Sequence, residues 1–151
     1  MINAEQYLKH YQGHRRLTRK TLAAFPADQF TTFSVGGMRP AGGIAKELLA
    51  MGGPIIKSFD TDVWGTWDED RTPLAQADVL TQWDAGTAMI DTHWPGLVAR
   101  GFDREITIFG QWPGMVRNHL LYLLDNEIHH RAQLYTYLRA LGIEPPAFWE
   151  R

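Results

Sequence analysis

Four stretches of the chain repeat apolar side chains at the spacing of an α-helix, and proline or glycine closes each. Tyr7, Tyr11, His14, Leu22 and Phe25 mark the first. It opens on Asn3 as cap, with Gln6 placed to complete a capping box, and stops at Pro26. The second begins near Pro40 and carries Ile44, Leu48, Met51 and Ile55 on one face. Its Gly52, Gly53 and Pro54 predict a kink or an early end. The third is expected from Pro73, with Thr72 as cap, through Leu80, Trp83, Thr87, Ile90 and Trp94 to a stop at Pro95–Gly96. The fourth is expected from about Pro113 to Leu141, with Gly142 as its C-terminal cap. Only EITIFG, from Glu105 to Gly110, alternates like a strand, and one such piece makes no sheet by itself. The pattern predicts an all-α protein, an antiparallel four-helix bundle. A three-helix core with a loosely docked fourth fits less well, because every helix has an apolar stripe.

A chain of 151 residues with formal net charge −2 reads as one domain over residues 1–151 and gives no electrostatic reason to expect nucleic acid as a partner. Its one basic run, HRRLTRK, is read as a solvated helix face. The absence of cysteine removes disulfides, a protein thiol nucleophile and thiolate ligands together, so any metal must sit among His, Asp, Glu and Asn. The start, MINAEQYLKHYQGHRR, is too polar for a signal peptide, and no stretch is long and apolar enough to span a bilayer; a cytoplasmic protein without membrane contact is expected.

The polar residues of the last helix carry the functional information. In LLDNEIHHRAQLYTYLRALG, a step of about 100° per residue puts Leu123, Leu134, Tyr137 and Leu141 within about 40° of His130. Asn126 and His119 share that stripe, whereas His129 lies about 100° away on its shoulder. A buried imidazole and carboxamide need partners, since an unpaired one costs on the order of 1–3 kcal/mol. They hydrogen-bond each other and a facing side chain, or they hold a metal with a ligand from another helix. Glu47, beside Ile44, Leu48 and Met51, is the candidate for that ligand. His119 lies about 16 Å along the axis from His130 and belongs to no site shared with it. His10 and His14 also have ligand spacing but no nearby carboxylate, and are read as surface or packing residues.

DNEIHHRAQLYTYLRALGIEPP resembles the last-helix signature of the DinB-like (DinB/YfiT-like) proteins, which reads close to D-H-E-x-H-H-R-G-Q-x-x-x-Y-L-R-x-x-G. HRRLTRKTLAAFP, GGMRPAGGIAKELLAMGG and GFDREITIFG extend the resemblance over the whole chain. It implies a four-helix bundle, a homodimer, and a divalent metal (Zn, Ni or Mn) held by three histidines, one from the second helix and two four apart on the last. It also implies thiol S-transferase, hydrolase or isomerase activity in some members, with a low-molecular-weight thiol as partner, and a link to stress response. Carried over by position, the metal ligands fall on Glu47, Asn126 and His130, so one histidine of three survives; Ala132 stands where the signature has glycine.

Glu is a competent ligand, but Asn offers only a neutral amide oxygen, so this set binds more weakly and shifts toward harder ions. The same trio also makes a metal-free network in which His130 donates to Glu47 and Asn126 bridges. Two readings therefore stand: a bundle with a remodelled metal site, or a non-catalytic bundle that binds a small ligand or a protein. Trp64, Trp67, Trp112 and Trp149, outside the helix faces, add a reason to expect self-association.

Overall fold

A computed structural model describes residues 3–67 and 70–151; Asp68 and Glu69, in the loop expected between the second and third helices, lie outside the described residues. Helix α1 (Ala4–Ala23) starts as its cap dictates. Asn3 accepts from the Gln6 amide at 2.8 Å while the Gln6 side chain accepts from the Asn3 amide at 2.9 Å. The second helix is broken into α2 (Ala41–Met51) and α3 (Gly53–Thr61), with Gly52 at the joint and Pro54 in the first turn of α3. Then come α4 (Gln76–Arg100), the strands β1 (Glu105–Ile108) and β2 (Trp112–Met115), and α5 (Val116–Ala140). Helix α1 packs on α4 and α5, and α2 packs on both of these as well, which closes a four-helix bundle.

Three boundaries differ from those expected. Residues 73–75 are not helical: Gln76 spends its side-chain amide on the Leu22 and Phe25 carbonyls at 2.8 and 2.7 Å, tying the start of α4 to the end of α1. Pro95 does not stop α4. A proline near a helix end forfeits one backbone bond, and buried Trp94 and Leu97 hold the last turns until Gly101, at φ +84°, ends them. Pro113 does not open α5 but lies in β2, whose register sets Ile108 opposite Trp112 and Glu105 opposite Met115. EITI therefore does have a strand partner, a segment whose Pro and Gly hide it from any propensity argument. The expected cap at the far end of α5 is present, with Gly142 at φ +76° and the Ile143 amide donating to the Leu138 carbonyl at 2.9 Å.

The interior has two apolar clusters. One gathers Tyr7, Tyr11, Ile55, Phe59, Trp94 and Leu123, the other Leu22, Phe30, Ile44, Trp83, Leu134 and Tyr137. Between them lies a layer of buried charge. Arg15 is 1% exposed, Glu127 2% and Arg131 6%, so the run read as a solvated basic face instead sends one arginine into the core. The Arg15 guanidinium lies 4.0 Å over the Trp83 ring, donates to Thr87 Oγ1 and the Trp83 carbonyl, and faces Glu127 at 3.8 Å. The Thr18 hydroxyl donates to Glu127 at 2.6 Å and accepts from Arg131 at 3.0 Å. His14, also buried, accepts from Arg131 at 2.8 Å through Nδ1 and faces His10 at 3.2 Å through Nε2. Burial, with Arg131 next, lowers its pKa to about 4, so it is a neutral packing residue.

Candidate functional site

Glu47 reaches the site because the neighbours that fix α2, Ile44, Ala45 and Leu48, are buried against α4 and α5, leaving it at the edge of the packed face. His130 meets it from α5, with Nε2 3.0 Å from Glu47 Oε1. A carboxylate can only accept, so Nε2 donates; Nδ1 meets the Gln133 carboxamide at 2.8 Å. The helical arithmetic on α5 holds: His130 is buried and His129 is exposed.

Arg39 is the partner the sequence does not disclose. Its Nη2 lies 2.6 Å from Glu47 Oε2, and the Tyr137 hydroxyl, donating to the Arg39 carbonyl at 2.8 Å, pins its backbone to α5. It precedes Pro40 in irregular chain, where no periodicity places a side chain. The hydrogen bond from His130, with that from Arg39 behind it, holds the Glu47 carboxyl down at about 2 against the cost of burial. The stabilisation is present above the ordinary glutamate pKa of 4.5 and is lost as pH falls from there through about 2. Glu47→Gln is expected to remove on the order of 2 kcal/mol at neutral pH and flatten that part of the acid-unfolding profile, which denaturation at stepped pH measures.

Asn126 is brought beside the pair but not into it. It is 9% exposed, and its amide nitrogen is buried without a hydrogen-bond partner, so the bridge expected of it in a metal-free network is not made through that atom. As a set for a divalent cation the trio is incomplete. The 3.0 Å between Glu47 Oε1 and His130 Nε2 is a spacing that two ligands of one ion also show. Against it, Oε2 is engaged by a guanidinium whose charge opposes a second cation. Among the described residues no three of His, Asp and Glu converge on one point.

In front of Glu47 a cavity of about 580 Å³ opens between α2, the β-hairpin and the first turns of α5. Met51, Ile108, Phe109, Trp112 and Tyr122 give it an apolar wall, with Trp67 from the loop after α3. Glu47, Asn118 and His119 are among its polar groups. Three of the tryptophans expected at an interface, Trp64, Trp67 and Trp112, converge on Phe109, with ring centroids 6.2, 5.5 and 6.2 Å away. Trp149 stays 67% exposed beside Phe148.

A family model described as the DinB family matches residues 1–151. The chain belongs to the DinB family. Solved DinB-like structures share its fold. One from Bacillus cereus is 16% identical, with TM-score 0.74 over 96% of this chain and 97% of that one. One from Bacillus subtilis (YjoA) is 20% identical, with TM-score 0.74 over 97% and 98%. No curated protein matches the chain. In this DinB bundle the broken second helix and α5 thus bring Glu47 and His130 together, with Asn126 beside them. Among the described residues, no helix is long and apolar enough to cross a membrane.

Proposed function

We propose that this DinB-family chain is a metal-independent ligand-binding module that takes a small apolar molecule into the 580 Å³ cavity, with Glu47 as the polar end of the site. One observation carries this. The residue standing where the resembling proteins place a ligand histidine has one oxygen on His130 and the other on Arg39, and this satisfied carboxylate borders an open, largely apolar cleft of small-molecule size. A carboxylate so held keeps a fixed charge and a fixed orientation, which suits it to position a ligand rather than to exchange protons. A link to stress response belongs to the proposal through the family resemblance alone.

A second reading keeps a divalent ion on Glu47, Asn126 and His130. It is favoured by the 3.0 Å approach of the first donor pair and by the unpartnered Asn126 amide, whose oxygen a flip would present to the site. A bound ion would supply Lewis acidity that lowers the pKa of a water or of a low-molecular-weight thiol. Homodimer formation also stays a proposal, supported by the exposed side chains of Leu121 and Ile128 on α5 and of Phe148 and Trp149.

Protein purified without a metal-affinity tag decides between the readings. The first expects less than about a tenth of an equivalent of metal by elemental analysis and no thermal stabilisation by Zn²⁺, Mn²⁺ or Ni²⁺. It also expects an apolar fluorescent probe to bind the parent and to be excluded by Met51→Trp, which fills the cavity. Stoichiometric metal that disappears in both Glu47→Ala and His130→Ala would establish the second reading and sink the first.

A further inference from the structure

Two clefts meet beside Glu47. The larger is the cavity of about 580 Å³; the smaller, of about 50 Å³, has Arg39, Lys46 and Asp70 among its lining residues. Glu47, Trp67 and Arg71 border both, so they mark the junction between a largely apolar space and a polar one. The chain that carries Arg71 is anchored on α2. Asp70 accepts from Lys46 at 2.7 Å and, through its other oxygen, from the Thr72 amide at 2.9 Å. Further on, the Leu74 carbonyl oxygen is seated against the bare backbone of Gly42, where any Cβ would collide with it. The backbone of Arg71 is thus held from both sides, while its own side chain is exposed.

The charges at this junction are not all matched. Glu47 has its counter-charge on Arg39, and Lys46 has Asp70. Among the described residues Arg71 has no carboxylate or other acceptor on its guanidinium. That group is a planar fork of N–H donors, which a carboxylate matches with two parallel hydrogen bonds and a neutral apolar molecule leaves unused. On the other side of the junction Trp67, Phe109 and Trp112 wall the large cavity, and Trp112, 48% exposed, is only partly covered by protein. Aromatic faces reward a flat π-system beyond the area it buries.

From this juxtaposition we infer that the cavity takes an aromatic acid. Its flat ring lies against the Trp67–Phe109–Trp112 wall and its carboxylate pairs with the Arg71 guanidinium at the junction. This rests on the cavity being a ligand site. It adds a charged substituent to the apolar body of that ligand and assigns Arg71 as the residue that reads the charge. Glu47 does not set the sign of the site, because both of its oxygens are engaged and Arg39 neutralises it.

NMR titration of the full chain with 2-naphthoate, 2-naphthamide and 2-naphthamidine tests the inference. The three share one outline, and their head groups are negative, neutral and positive at neutral pH. The parent is expected to bind the naphthoate about 5-fold more tightly than the amide, and the amidine more weakly still. Added salt is expected to narrow that gap. Arg71→Gln is expected to erase the preference for naphthoate over the amide while thermal stability stays unchanged, and Arg71→Lys to keep part of it. Equal affinity for all three would overturn the inference and leave the cavity reading standing. Tightest binding of the amidine would do the same, and would show that the acidic run at residues 68–70 sets the sign of the field. A preference for naphthoate that survives Arg71→Gln would overturn the role of Arg71. No binding of any of the three, where the apolar fluorescent probe still enters, would overturn this inference alone; failure of that probe as well would overturn the proposed function with it.

Discussion

Glu127→Ala is expected to cost the fold about 3–5 kcal/mol, a drop in Tm of roughly 6–20 °C for a chain of this size. Glu127 is the anion between two guanidiniums in the interior, facing Arg15 and Arg131 at 3.8 Å each and accepting from Thr18 at 2.6 Å. Burial raises its pKa while Arg15, Thr18 and Arg131 oppose that rise. Without the carboxylate, two buried cations lose their counter-charge in a medium that screens them poorly, and that residue of uncompensated charge dominates the loss. Removing the charges together is a different matter. Replacing Glu127, Arg15 and Arg131 with apolar residues of similar volume is expected to recover much of the stability, because the desolvation cost leaves with them. Chemical denaturation of the single and triple variants measures both, and a loss below about 1 kcal/mol for Glu127→Ala would show that the layer contributes little.

The second large effect is a pair of opposite sign at two touching glycines. A Cβ built on Gly53 would lie 2.6 Å from the Gly86 carbonyl oxygen and 3.1 Å from its Cα. Both are backbone atoms that no rotamer change can move, so Gly53→Ala must push α3 away from α4, at a cost of about 1–3 kcal/mol. On the Gly86 side the nearest atom to an added Cβ is Arg15 Nη2 at 3.5 Å, an ordinary contact. Gly86→Ala, in the middle of a 25-residue helix, is therefore expected to stabilise by up to about 1 kcal/mol. Thermal denaturation of the two variants side by side checks this, and a change of the same sign in both would refute the contact as described.

How far these features could be read from the sequence varies for physical reasons. The capping box at Asn3 and Gln6, the break at Gly52–Pro54 and the cap at Gly142 are local, and local chemistry decided them. Arg15 was legible in principle, since it stands four residues after Tyr11 and seven before Leu22, on the buried stripe. Composition argued against burying a charge, and the stripe position prevailed because Glu127, Thr87 and the Trp83 ring supply its partners from other helices. Glu127 and Arg131 lie about 60° and 100° from His130 by the same step and carried no such signal; their burial follows from Arg15, Thr18 and His14, which face them from α1. At the site, Glu47 was a candidate partner for His130 because His130 stands on the stripe of one helix and Glu47 at the edge of the apolar face of another. Arg39 and the hairpin wall did not follow, because one lies in irregular chain and the other depends on a strand written as WPGM.

The joint at Gly52 ties two distant parts of the chain into a single unit of change. A Cβ at Gly52 would sit 2.8 Å from Arg15 Nη1, so the bare backbone of the break is the surface against which the buried guanidinium is seated. A larger residue at position 52 obliges the Arg15 guanidinium to shift, and an apolar, shorter residue at position 15 would remove that contact and leave the one to the Leu48 carbonyl at 3.2 Å. Descendants of this chain that mend the broken helix are thus expected to have surrendered the internal arginine first. That order of events can be read from the pairing of residues at positions 15 and 52 across related sequences.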